Sequence, residues 1–292
     1  MNLILEIWLL HSGGSIDVAM SSSEWSVVGK KGRRRVEKHQ HGHEHSNETL
    51  EPHDTTACVT LEEAKASLLR LSIDVAASAF FKSIERAFTA VEEACSVPSN
   101  DDSLPAQTTY WSQFSCVRCY GLGSPTSSLN ARAQLALVVP LLKLLTNSTS
   151  ICFYDPIFSA LDKDLIAACG YSVLSAEEAQ AHTAQGPTFF YMPHCDASIY
   201  NDVLDINWSI DQLVNIAILG NSFEGMQDRW SGPTFKRRAG RPHRVLALTD
   251  HDLVREEKLQ GSGFRVDTAF NDTSLQVFVR AVLEKAPLVF QS

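Results

Sequence analysis

From residue 116 onward the chain alternates short apolar runs with stretches of helical period, and several of the runs close on polar motifs that contain Gly, Pro or Asn. The runs 116–120, 151–154, 171–174, 188–191, 213–219 and 244–248 are short and apolar, which predicts strands. Between the first two lies 129–145, apolar nearly all round, so it reads as a deeply covered helix that Pro140 should kink or whose end it should shift. Over 159–169, Ser159 is placed to cap a helix, Leu161, Leu165 and Ala168 share a face, and Gly170 ends it. A further helix should follow Asp196, with Tyr200, Val203 and Asn207 on one stripe. Repeated β-α units of this kind predict an α/β, Rossmann-like fold with a mostly parallel sheet flanked by helices.

Upstream the pattern changes. Thr60 and Glu63 have the spacing of a capping box, and Phe81, Ile84, Phe88, Val91 and Cys95 recur every three or four residues, so 59–95 reads as a helical segment. Its apolar face either packs on the main domain or docks a partner. The stretch 96–114, with Pro98, Asn100, Asp101 and Pro105, reads as a linker, and 115–292 as the α/β domain. Residues 1–58 form an arm with few large apolar side chains beyond its start, which predicts disorder. Its first ten residues, Met1 to Leu10, are apolar but lack a basic flank and contain Glu6, unlike a secretory signal, so 1–19 reads as a poorly structured leader. Within the arm, Lys30, Lys31, Arg33, Arg34 and Arg35 form a cluster that import receptors or nucleic acid recognise, or that is simply solvated. The tract His39, His41, His43 and His45 is flexible and lacks a fixed second shell, so no designed metal site is expected there.

Composition narrows the classes. A chain of 292 residues that is 44% hydrophobic can bury one substantial core. The net charge of −9 argues against direct nucleic-acid binding through the whole surface. Seven cysteines, an odd number set mostly in apolar runs, point to a reduced protein of the cell interior. No apolar run reaches the roughly 20 residues that a membrane span needs.

The strand ends carry the candidate chemistry. In an open parallel sheet these ends share one edge, so motifs far apart in sequence can face one crevice. Gly121 and Gly123, with Ser124 after them, let a backbone turn and approach an anion at a helix start. Asp155 follows the second run, where nucleotide-binding sheets place an acid for ribose hydroxyls; the alternative is a turn starter before Pro156. His194 either contacts a ligand or bonds its own loop, and its neighbour Cys195 points to the opposite face of an extended chain, so the two do not pair. Asn221 and Ser222 either fix a polar ligand or stitch the loop to its neighbours. Cys116 and Cys119, three apart on a strand, sit on opposite faces and read as core thiols rather than a redox or metal pair. The run Lys236, Arg237, Arg238, Arg241 reads as a solvated insertion. The ligand set is therefore Gly121, Gly123, Ser124, Asp155, His194, Asn221 and Ser222, with a nucleotide-like molecule as the candidate ligand and neither cofactor nor metal named.

The segments Cys119-Tyr120-Gly121-Leu122-Gly123-Ser124, Ala131-Arg132-Ala133-Gln134-Leu135-Ala136-Leu137, Tyr154-Asp155-Pro156, Phe190-Tyr191-Met192-Pro193-His194-Cys195, Gly220-Asn221-Ser222-Phe223 and Asn271-Asp272-Thr273-Ser274-Leu275 together resemble the Sensitivity to Red Light Reduced domain family. The resemblance spans about 115–278, and Glu24-Trp25-Ser26-Val27-Val28 resembles plant members; Gln276-Val277-Phe278 departs from the family's ending. It implies a regulator, more than an enzyme, in red-light, phytochrome-dependent input to the circadian clock, with protein partners in that pathway and residence in nucleus and cytoplasm. For animal relatives it implies a link to haem biosynthesis. It assigns no catalytic residues.

Overall fold

The computed structural model describes residues 57–58, 60–95, 109–145, 150–184, 186–232 and 240–291. Seven strands, β1 Cys116–Tyr120, β2 Ser150–Tyr154, β3 Ser172–Val173, β4 Thr188–Met192, β5 Ile216–Asn221, β6 Arg255–Lys258 and β7 Thr273–Val277, form one sheet in the order β3-β2-β1-β4-β5-β7-β6. Strands β1 to β5 run parallel, and β7 lies antiparallel between β5 and β6. Strand order reverses between β1 and β4. That reversal is where an α/β sheet opens a crevice at its carboxyl edge.

Side chains alternate across the sheet, and both faces are covered, as parallel strands require. Val117, Cys119, Phe153, Phe189, Tyr191, Leu219 and Leu275 join one buried cluster. Four helices supply its other half: α1 Leu61–Ala76, α2 Ala79–Cys95, α3 Leu129–Leu144 and α4 Ala160–Ala168. On the opposite face Tyr120, Phe190, Met192, Ile216 and Ile218 pack with residues of α6 Ala197–Ile206, α8 Phe223–Trp230 and α9 His243–Asp250. Short helices α5 Ala176–Gln180, α7 Ile210–Leu213 and α10 Arg280–Leu283 complete the set of described α-helices.

The upstream helices belong to the core. Thr60 and Glu63 close the capping box, Glu63 N donating to Thr60 Oγ1 at 3.2 Å and Thr60 N to Glu63 Oε2 at 3.1 Å. Ala64, Leu68, Leu71 and Val75 are then buried, and α1 lies against α3. On α2, Phe81, Ile84, Phe88 and Val91 are buried, so the structure takes the packing alternative over an exposed docking face. Phe88 stacks on Trp111 at 4.0 Å between ring centroids, and Trp111 Nε1 donates to Phe88 O at 2.9 Å. Trp111 and Phe114 are themselves buried in the same cluster.

Several expectations need correction. Residues 244–248 are helical within α9: Val245, Leu246 and Leu248 are all buried on one helical arc, whereas strand alternation would split Val245 from Leu246. Strand β5 begins at Ile216 because Leu213 ends the short helix α7. Helix α3, by contrast, runs to Leu144 with Pro140 inside it, as the 129–145 expectation has it. Asp162, not Leu161, faces inward on α4, for a reason given below. Cys116 is only half-buried, so of the Cys116 and Cys119 pair one alone is a core thiol. Strands β6 and β7 escape an apolar-run search because Arg-Glu-Glu-Lys is a charged edge strand and Thr-Ser-Leu-Gln-Val buries Ser274 and Gln276 with its apolar residues.

Phe88→Ala removes a buried ring from a junction of α2, the Trp111 turn and β4, since Phe88 also lies 6.0 Å from Phe189. It should lower the unfolding free energy by about 3–5 kcal/mol in chemical denaturation. A loss below about 1 kcal/mol would show that α2 is peripheral to the fold.

Candidate functional site

The loop after β1 turns because Gly121 and Gly123 adopt φ of +67° and +75°, a region costly for other residues. A methyl group on Gly121 would run into Cys195 Sγ, so that glycine also gives the β4 loop its room. Gly123 N donates to Asp155 Oδ2 at 2.8 Å, and Ile157 N donates to Asp155 Oδ1 at 3.0 Å. The acid after β2 thus ties down the glycine loop after β1 and opens its own turn.

Ser124 continues this lock one layer deeper. Its hydroxyl donates to Asp162 Oδ1 at 3.0 Å, which also accepts from Thr126 N at 2.9 Å and Thr126 Oγ1 at 2.7 Å. Asp162 Oδ2 accepts from Ser159 N at 2.9 Å and Ser159 Oγ at 2.8 Å. Asp162 is fully buried, and burial alone would raise its pKa, but the Thr126 and Ser159 hydrogen bonds outweigh this and hold the carboxyl below its ordinary value. This is why an aspartate rather than Leu161 faces inward.

At the end of β4, His194 stands at φ +56°. Its amide donates to Asn221 Oδ1 at 2.9 Å, while Asn221 Nδ2 donates to Cys195 O at 3.1 Å. Cys195 Sγ in turn donates to Tyr120 O at 3.2 Å. Burial, with Asp155 and Asp196 adding to it, pushes the Cys195 thiol far above its ordinary pKa, so it is a packing and bonding group rather than a thiolate nucleophile. Asn221 N donates to the Tyr200 hydroxyl at 2.7 Å, and that hydroxyl donates to Met192 O. Ser222 caps α8, its Oγ accepting from Gly225 N at 3.0 Å, and Glu256 accepts from Phe223 N and Glu224 N at 3.0 Å each.

All the strand-end motifs therefore meet on one edge, bonded to one another. Gly123, Ser124, Asp155 and Ser222 direct polar atoms into the loops, and Gly121 packs on Cys195. Cys195 fills the space between the ends of β1 and β4. The open space lies one strand further along, a cleft of about 680 Å³ whose walls include His194, Asn221, Arg229, Trp230, Asn271 and Asp272. Of the seven ligand candidates only His194 and Asn221 border it. Arg229 and Trp230 carry no motif that a sequence search would select, whereas Asn271 and Asp272 sit in a segment that the family resemblance singles out.

The basic cluster Lys30, Lys31, Arg33, Arg34 and Arg35, the histidine tract, the 96–108 part of the linker and the run Lys236–Arg238 lie outside the described residues. Among the described residues no group of three or more His, Cys, Asp or Glu side chains is disposed to hold a metal, and no helix is long and apolar enough to cross a membrane.

The sequence profile of the SRR1 domain matches residues 82–277. A mouse SRR1-like protein is 43% identical over 120 residues, 40% of this chain and 48% of its own length, so the chain spans about half of that relative. The Arabidopsis thaliana protein named SENSITIVITY TO RED LIGHT REDUCED 1 is 30% identical over 283 residues, 92% of this chain and 95% of its own. A Corynebacterium glutamicum protein of known crystal structure is similar over 73% of this chain and 90% of its own, at 14% identity and a TM-score of 0.38.

Gly121→Ala should destabilise the fold by about 2–4 kcal/mol, and pairing it with Cys195→Ala should recover part of the loss, the remainder being the positive φ. Equal losses with and without Cys195→Ala would contradict the contact. Asp162→Asn should cost about 3 kcal/mol near neutral pH. Because the folded pKa of Asp162 is depressed, its contribution is complete above the unfolded value of about 3.9 and disappears as pH falls through the folded value. Denaturation curves of both proteins from neutral to acid pH should converge; a gap that persists unchanged in acid would refute the ionised hub.

Proposed function

The chain belongs to the SRR1 domain family, and from that membership we propose that it is a non-catalytic regulator on the red-light input to the circadian clock, acting in nucleus and cytoplasm. The observation that carries this reading is the end-to-end similarity to the Arabidopsis protein named for reduced sensitivity to red light, at 30% identity over 92% of this chain. The geometry is in keeping with it. Asp155 holds Gly123, Asn221 holds Cys195, and the buried Cys195 thiol is not activated for attack. The cluster from Lys30 to Arg35 is the element proposed to bring the protein into the nucleus.

The full chain, expressed in an Arabidopsis line lacking its own SRR1 protein, should restore the seedling response to red light and the period of clock-regulated transcripts. Stable expression without recovery of either would contradict the proposal; a change in haem content alone would favour the haem-linked role. Replacing Lys30, Lys31, Arg33, Arg34 and Arg35 with Ala should lower nuclear accumulation of a fluorescent fusion, and an unchanged distribution would remove the import role.

A further inference from the structure

One residue of the rim is held in place yet faces outward. His194 is exposed and sits at a positive φ, a conformation that costs a non-glycine residue about 1–3 kcal/mol and persists only where its surroundings impose it. Asn221 holds its backbone. Its ring is fixed from below by Gln134, a side chain of α3 that is only 3% exposed. Gln134 Nε2 donates to Ala269 O at 2.9 Å and lies 3.4 Å from His194 Nδ1. A carbonyl oxygen only accepts, so Ala269 determines which end of the Gln134 amide carries the hydrogens. An amide nitrogen only donates, so Nδ1 is the acceptor and the neutral imidazole carries its proton on Nε2. Nε2 is left as an oriented donor in the wall of the cleft.

The other walls supply complementary groups. Asp196 stands at the N-cap of α6 without making a side-chain capping bond, so its carboxylate is an available acceptor. Asn130 Oδ1 accepts from Thr268 Oγ1 at 2.9 Å, which leaves Nδ2 as a donor, and Asn271 adds a second carboxamide. Trp230 also lines the cleft. Arg229 is already paired with Asp272, at 2.8 Å between Nη1 and Oδ2, so among the described residues that line the cleft the uncompensated charge is that of Asp196. An anionic ligand would meet that charge. A pair of neighbouring hydroxyls would instead donate to Asp196 and accept from His194 Nε2 and the carboxamides, each using both its capacities.

We infer that this cleft binds a neutral ring ligand bearing a vicinal diol, a free sugar or the ribose of a nucleoside, with Asp196 as the hydroxyl acceptor and His194 Nε2 as the oriented donor. The site is distinct from the glycine loop after β1, and its test is independent of red-light complementation, so either can fail alone.

The full chain should be titrated with D-ribose, adenosine, 2′,3′-dideoxyadenosine and inorganic phosphate, each to about 10 mM, with the His194 ring and Trp230 indole resonances followed by NMR. Adenosine should shift both saturably, and dideoxyadenosine should bind at least about tenfold more weakly. Equal binding of ribose and adenosine identifies the sugar as the ligand; binding of adenosine alone identifies a nucleoside. Asp196→Asn should weaken binding about tenfold or more with the melting temperature unchanged. His194→Asn, which tolerates the left-handed backbone, should do the same when read at Trp230. The inference is overturned if neither diol shifts these resonances, if dideoxyadenosine binds as well as adenosine, or if phosphate saturates the site.

Discussion

The carboxamide of Asn221 holds the carboxyl edge of the sheet together. Its oxygen accepts from His194 N and its nitrogen donates to Cys195 O, so one side chain at the end of β5 satisfies two backbone groups of the β4 loop. Buried or half-buried backbone groups at strand ends must find partners, and a parallel sheet leaves a whole row of them on one edge. Once Asn221 fixes the β4 loop, Cys195 reaches Tyr120 O and packs on Gly121. From there the chain of contacts passes through Gly123 to Asp155 and through Ser124 to Asp162. The edge is one connected structure drawn from four parallel strands and the helix that follows β2.

That connectivity decides what the edge can do. A phosphate-cradling loop needs free amides, and here Gly123 N is taken by Asp155. A Cys nucleophile needs a lowered pKa, and here burial raises that of Cys195. What remains outward is His194 and the polar cleft beside it, one strand from the point where strand order reverses. The same bonds that close the crevice orient the residue that faces the cleft.

The sequence announces most of this fold through the apolar runs of β1 to β5, the Thr60 and Ser159 caps and the Tyr200, Val203, Asn207 stripe, because burial and capping act locally or with fixed periods. It hides β6 and β7, whose polar side chains also find partners on neighbouring strands. Ser274 Oγ donates to Glu256, and Gln276 Nε2 to Asn221 O. It also makes 244–248 look like a strand, since Val245 and Leu246 have β-compatible side chains and only the packing on α6 and α8 shows the helix. For the site, strand-end placement correctly gathers Gly121, Asp155, His194 and Asn221. Whether a polar group meets a ligand or its neighbour depends on non-local partners such as Gln134, which no spacing rule connects to His194 over 60 residues.

The central claim, that the edge is one interlocked unit hinged on Asn221, is tested most directly by native-state hydrogen exchange on Asn221→Ala. The His194 amide loses its acceptor in that variant. The Gly123 amide keeps its own acceptor, Asp155, and touches Asn221 only through Cys195 and Gly121. The account predicts that both amides lose protection together, because the loops open as a unit. Full protection of Gly123 with loss at His194 alone would contradict it.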